Sequence, residues 1–212
     1  MNSPSFRIPP AEIEGDLAVP KHASGVVLFA HGSGSSRFSP RNRFVAGQLN
    51  DAGFATLLVD LLTPQEDVSR EGRFDIGLLT SRVIQATDWL RQLPETKDLP
   101  LGYFGASTGS AAALKAAAQR PGIFSVVSRG GRPDLAMDDL PLVPCPTLLI
   151  VGGNDNVVLD LNRKAQERLR AENYLAIVPE ATHLFEEPGA LEEVARIATE
   201  GFKNHVPERE KA

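Results

Sequence analysis

Residues 99–119 read LPLGYFGASTGSAAALKAAAQ. Leu99 to Phe104 is a short apolar run of the kind that is buried on both faces of a parallel sheet. Ser110 to Gln119 is rich in alanine, the strongest helix former. Between them, Gly105-Ala106-Ser107-Thr108-Gly109 has the pattern G-x-S-x-G. A serine on so sharp a strand-to-helix turn sits on strained backbone that holds its hydroxyl up over the end of the sheet. The residues two before and two after it must be small, because neighbouring backbone passes close to them. The start of the helix adds partial positive charge where an anion develops. The pentapeptide alone also fits an ordinary turn packed with small residues. The flanking strand and helix favour a nucleophile at Ser107.

The alternation continues outward from this turn. Strands are predicted at Val26–Ala30, Phe54–Leu62, Ile123–Ser128, Thr147–Val151 and Tyr174–Val178, and helices at Ser39–Ala52, Phe74–Leu93, Leu161–Ala171 and Ala190–Phe202. Thr63–Gly72 reads as a polar loop. Glu12–Val19 alternates through Ile13, Leu17 and Val19, and with Phe6 and Ile8 it fits an antiparallel lead-in at the sheet edge. The pattern predicts an α/β fold, a mostly parallel sheet with helices on both faces. No linker or repeat divides the chain, so residues 1–212 are expected to form one domain. Glu208–Ala212 is a charged tail expected to fray.

Composition removes several function classes. Lys and Arg total 22 and Asp and Glu 27, a net charge of −5. That balance argues against nucleic acid as a partner. The single cysteine, Cys145, excludes an intramolecular disulfide and a thiolate metal cluster. No apolar stretch reaches the ~18–20 residues that span a bilayer. Met1–Pro10 lacks the basic and apolar regions of a secretory signal. The expectation is a cytoplasmic protein without a membrane partner, monomeric or homodimeric.

A serine nucleophile needs a base, and the base needs an orienting acid. His22 lies in a polar loop and His205 near the end of the chain. His31 and His183 each follow a predicted strand, where catalytic groups of a parallel sheet gather. Asp155 also follows a strand, in Val151-Gly152-Gly153-Asn154-Asp155, and Asp60 is its rival. On sheets with such a turn the partners run in chain order Ser, Asp or Glu, His. Ser107, Asp155 and His183 obey that order, whereas Asp60 and His31 precede the serine.

His31-Gly32-Ser33-Gly34 then suits a loop passing under the substrate. The Ser33 N–H, with that of Thr108, is the expected oxyanion hole; the alternative is a glycine-rich surface turn. A dinucleotide fingerprint fails because Arg37 stands where glycine is required, and neither Gly-Lys-Ser/Thr nor H-E-x-x-H occurs. No metal or organic cofactor is expected. Arg37, Arg41 and Arg43 follow the loop, and Arg129 and Arg132 flank Gly130-Gly131. With His31 and Gly34, three of them (Arg37, Arg41 and Arg129) are the candidate substrate-binding residues, suited to an anionic small ester or lactone. They equally fit arginines paired with the many acids, and Arg129 fits a buried structural arginine bound to Asp134 or to carbonyls.

The His31-Gly32 turn, the elbow at Ser107, Asp155 and the His183 loop together resemble the α/β-hydrolase superfamily, and within it the small dienelactone-hydrolase-like branch. The resemblance spans nearly the whole chain. It implies a sheet of about eight strands, with Ser107 as nucleophile, His183 as base and Asp155 as orienter. Dienelactone hydrolases proper use cysteine at the elbow, so the serine here points to a serine esterase rather than to dienelactone. Similar hydrolases can be fused to a phosphoribosyltransferase-like domain, and no sequence of that kind occurs in these residues. Larger relatives carry a helical lid between the strands that end at Ser128 and begin at Thr147. Here Arg129–Pro146 has room for a turn and a short helix, so an open site without a lid is expected. The function expected is a serine hydrolase of small esters, lactones or thioesters. A non-catalytic binding module on the same fold and an acyltransferase with the same triad stand as alternatives.

Overall fold

The computed structural model describes residues 4–208. Eight strands form one sheet: β1 (Ser5–Ile8), β2 (Ile13–Ala18), β3 (Gly25–Ala30), β4 (Phe54–Val59), β5 (Leu101–Ala106), β6 (Ile123–Arg129), β7 (Thr147–Gly152) and β8 (Asn173–Val178). Their spatial order is β1-β2-β4-β3-β5-β6-β7-β8. The β1–β2 and β2–β4 pairs are antiparallel and the rest parallel. This is the α/β-hydrolase arrangement, with the antiparallel lead-in at one edge. The tail from Arg209 onward lies outside the described residues.

Every residue of β3, β4, β5 and β7 is buried, because both faces are covered. On one face, α1 (Pro40–Asp51) and α6 (Ala190–His205) place Val45, Leu49, Val194 and Phe202 against Val27, Phe29 and Phe104. On the other, α3 (Ile76–Leu90) and α4 (Thr108–Gln119) pack Leu79, Val83, Leu90 and the alanines of α4 against Val26, Leu28 and Tyr103. The alanines let α4 lie close to the sheet and to α3. Their side chains at 111, 112, 113, 116 and 117 are fully or almost fully buried.

The elements differ from the periodicity where polar residues start helices. The predicted helix over Phe74–Leu93 is α3, Ile76–Leu90, and a separate short helix, α2 (Arg70–Phe74), starts inside the predicted polar loop and ends at Phe74. Asp75 breaks the run, because its Oδ1 accepts the Leu78 N–H at 2.9 Å and starts a new helix. The helix predicted from Leu161 begins at Asn156 and ends at Arg168, as α5. Between β6 and β7 there are only two 3-10 turns, Pro133–Ala136 and Leu140–Leu142, and no lid.

The order of strands places the site. The chain leaves β3, forms β4 on one side of it, and then crosses to β5 on the other. In parallel sheets a crevice opens at the carboxyl ends of such a reversal. Ala30 of β3 pairs with Gly105 of β5, and Ala106 pairs with Arg129 of β6. The segments beginning at His31, Ser107 and Gly130 therefore leave the sheet side by side.

Candidate active site

Ser107 sits between β5 and α4 with φ +50° and ψ −123°, a conformation costly for a residue with a Cβ. What holds it there is its own backbone. The Ser107 carbonyl accepts from the Ser110 N–H at 3.1 Å, the Ser110 hydroxyl at 2.9 Å and the Arg132 N–H at 3.1 Å. The Ser107 N–H donates to the Arg129 carbonyl at 3.2 Å. The small residues of the motif are explained by contact. A Cβ on Gly105 would press on the Ser110 backbone, and one on Gly109 would press on the carbonyls of Ala30 and His31.

Asp155 and His183 reach the same edge from β7 and β8. Asp155 occupies the N-cap position of α5, yet its carboxylate makes no capping bond to the helix. Its Oδ2 instead lies 2.6 Å from His183 Nδ1. The acid side chain is 15% exposed and the imidazole 40%, so the ring borders solvent while its orienter is covered. The His183 loop is anchored at both ends: Glu187 Oε1 accepts the Thr182 N–H at 3.0 Å, and Phe185, at φ +55°, is buried. The ring lies over Gly130, where a Cβ would come within 3.5 Å of its Nδ1 and Cε1. Arg129, next to Gly130, binds the Ser107 N–H. Among the described residues no hydrogen bond joins Ser107 Oγ to His183.

Elsewhere the geometry departs from the sequence expectations. The Ser33 N–H donates to Thr108 Oγ1 at 2.9 Å, so it is engaged by a side chain rather than free over Ser107. The Thr108 N–H, first in α4, has no acceptor among the described residues. Gly34 makes an exposed turn at φ +69° with nothing within 4 Å of where its Cβ would be. His31 is buried and both its ring nitrogens meet backbone groups. Its Nε2 accepts the Leu61 N–H at 3.0 Å and its Nδ1 donates to the Gly32 carbonyl at 2.9 Å, which requires the neutral Nδ1–H form. Burial accordingly lowers its pKa below the usual value. His31 ties the Gly32 loop to the end of β4 and is not a substrate ligand.

Arg37 is likewise spent. It binds Glu14 and Asp60 in ion pairs and approaches Asp16 at 3.4 Å, and its N–H donates to Asp60 at 2.7 Å. That also settles what the rival acid touches: Asp60 holds Arg37 and not a histidine. Arg132, not Arg129, takes Asp134, through two bonds of 2.9 and 2.8 Å. Arg41 reaches Glu186 at 3.3 Å. Arg129 is 8% exposed and meets no carboxylate among the described residues. Cys145 is buried in the core, its thiol pushed up to about 11 by burial. Among the described residues no group of three His, Cys, Asp or Glu gathers where a metal could sit.

Periodicity did not reveal Ser110, Gly130 and the Arg132 N–H, which shape the elbow. Gly130-Gly131 after a buried strand was the available signal: Gly130 has φ +50°, and a Cβ on Gly131 would strike Ser110 and Ser128.

Residues 13–207 match the dienelactone hydrolase family. The chain belongs to that family. The crystal structure of a dienelactone hydrolase from Anabaena variabilis superposes with a TM-score of 0.93 at 55% identity, covering 97% of each chain. Est1E from Butyrivibrio proteoclasticus gives a TM-score of 0.83 at 15% identity, covering 98% of this chain and all of that one, a likeness of fold. A protein of Mycobacterium tuberculosis (strain ATCC 25618 / H37Rv), provisionally named a phosphoribosyl transferase, is 59% identical over 198 residues, 93% of this chain and 45% of that protein. The chain thus spans less than half the length of the curated relatives it matches. No helix among the described residues is long and apolar enough to cross a membrane.

Proposed function

We propose that the chain is a serine hydrolase that cleaves small carboxylic esters, lactones or thioesters through an acyl-enzyme on Ser107. The observation that carries this reading is the pairing of a left-handed serine elbow with an Asp155–His183 bond of 2.6 Å at the neighbouring strand ends. His183 Nε2 takes the Ser107 proton as Oγ attacks the carbonyl carbon. Hydrogen bonds of this kind are often long before substrate binds, and close in the complex. Asp155 holds the Nδ1–H tautomer and stabilises the imidazolium. The Thr108 N–H, at the positive end of a 12-residue helix, faces the developing oxyanion. The Ser33 N–H joins it by leaving the Thr108 hydroxyl. The alkoxide or thiolate leaves with the proton from His183. Water, deprotonated by His183, then cleaves the acyl–Ser107 bond.

The absence of a lid suits short, water-soluble substrates. A fluorophosphonate probe should label Ser107, and Ser107→Ala should lose both labelling and hydrolysis of a short aryl ester. Aryl-ester turnover retained in Ser107→Ala would sink the proposal.

A further inference from the structure

Among the described residues Arg129 is a charge without a counter-charge. It leaves the end of β6 on the face covered by α1 and α6, and is 8% exposed. Its one side-chain hydrogen bond is a long one, from Nη2 to Asn42 Oδ1 at 3.4 Å. Its Nε is buried and has no partner. The guanidinium stands 5.8 Å from the centre of the Phe185 ring, two residues after His183. A buried cation left in this state costs several kcal/mol unless an anion completes it.

The surroundings add positive charge. Arg41 precedes Asn42 in the first turn of α1, and its Nε is also buried and unpartnered. Its ion pair, with Glu186, is at 3.3 Å to a carboxylate that is 68% exposed, a contact of little strength. The first turn of α1 contains no acidic residue, although that is where a helix favours one. Burial, and then the nearby Arg41 charge, push Arg129 down to about 10, which still leaves it charged at neutral pH. Arg41 and Arg129 thus lie near one another at the start of α1, and among the described residues neither Nε has a partner.

We infer that Arg129, Arg41 and Asn42 form a binding site for a small oxyanion, a carboxylate or phosphoryl group, between the end of β6, the start of α1 and the His183 loop. Guanidinium groups suit such planar or tetrahedral oxygens through paired N–H bonds. The anion is either one end of the ester substrate or a free ion that sets the His183 loop through Phe185. The first source rests on the hydrolase reading above; binding itself does not.

Inorganic phosphate is the probe, with melting temperature as the readout. Wild type and Ser107→Ala should both rise by several degrees at saturating phosphate, and Arg129→Met should not. In phosphate-free buffer Arg129→Met should melt no lower than wild type, because an apolar side chain of similar length replaces a lone buried charge. Should that variant not fold, Arg41→Gln, at a half-buried position, should blunt the phosphate response in its place. The two sources are then separated with a pair of aryl esters that differ only in a terminal carboxylate. If the substrate supplies the anion, Arg129→Met lowers kcat/KM for the charged ester on the order of 10- to 100-fold more than for the neutral one, and phosphate competes with the charged ester alone. If a free ion does so, phosphate changes kcat on the neutral ester. A phosphate response equal in wild type and Arg129→Met overturns the site, as does no response in wild type together with equal kcat/KM for the two esters. Phosphate binding through Arg129 without esterase activity keeps this site and removes the hydrolase proposal.

Discussion

Gly109→Ala sets two effects of known size against each other. Gly109 is the second residue of α4, and alanine is favoured over glycine within a helix by about 1 kcal/mol. Against this stands the contact: a Cβ there would lie inside 3.0 Å of both the Ala30 and His31 carbonyl oxygens. Both belong to backbone at the end of β3, a fully buried strand hydrogen-bonded on both sides. No side chain can swing away, so α4 must lift from the sheet. Overpacking of this sort costs about 1–3 kcal/mol or more, and rigid backbone argues for the upper end. The expected net loss is about 2 kcal/mol, or roughly 4–8 °C in melting temperature for a chain of this size. Gly47→Ala in α1 is the control, because nothing lies within 4 Å of its Cβ position. It should gain up to about 1 kcal/mol. Urea unfolding followed by circular dichroism measures both. Gly109→Ala should also depress aryl-ester turnover, since lifting α4 moves Ser107 and the Thr108 N–H. A Gly109→Ala protein as stable as Gly47→Ala would refute the claim that close backbone approach dictates the glycine.

The two acids should separate cleanly. Asp155→Asn should lower kcat by several orders of magnitude with little change in the unfolding free energy, whereas Asp60→Asn, which breaks the Arg37 contacts, should lower the unfolding free energy by about 1–3 kcal/mol and spare kcat; the reverse pattern would reassign the acid. His31 is held neutral by burial, so its native pKa lies below 6.5. The unfolded chain therefore takes up its proton first as pH falls, and stability drops below about pH 6.5. Between pH 7.5 and 5.5 the loss reaches up to about 1.4 kcal/mol; it should be missing in His31→Gln and so appear as the difference between the wild-type and variant stability–pH curves. The Cys145 thiol should resist Ellman's reagent in the native protein and react at once in urea, with a fast native reaction arguing against its burial.

Much of the fold was legible because buried parallel strands write themselves as apolar runs. β3, β5 and β7 are of this kind, and the glycines around Ser107 report the closeness of backbone directly. The ends of helices were harder to read. Asp75 and Asp155 stand at helix starts, and a side chain that begins a helix leaves no mark on the apolar period. At the site, Ser107, Asp155 and His183 could be ordered along the chain because the strand ends bring them to one edge. The tasks of the arginines could not be read, because they depend on which acids lie across the sheet. Arg37 and Arg132 found partners encoded far away or next door (Glu14, Asp60, Asp134), and Arg129 meets no carboxylate among the described residues. Nor does sequence disclose that the Ser33 N–H meets the Thr108 hydroxyl, since that contact joins loops 75 residues apart.

The turn from Arg129 to Arg132 touches every part of the proposed machinery at once. Its first carbonyl and last N–H grip Ser107, Gly130 lies under the imidazole, and the Gly131 carbonyl accepts from Asn162 of the helix that begins at Asp155, at 3.0 Å. These four residues behave as a mounting plate. For protein engineering this means that the reactive geometry is held by one short stretch of the chain. Substitutions at Gly130 and Gly131, where a Cβ would meet His183, Ser110 and Ser128, should cost turnover on every substrate alike.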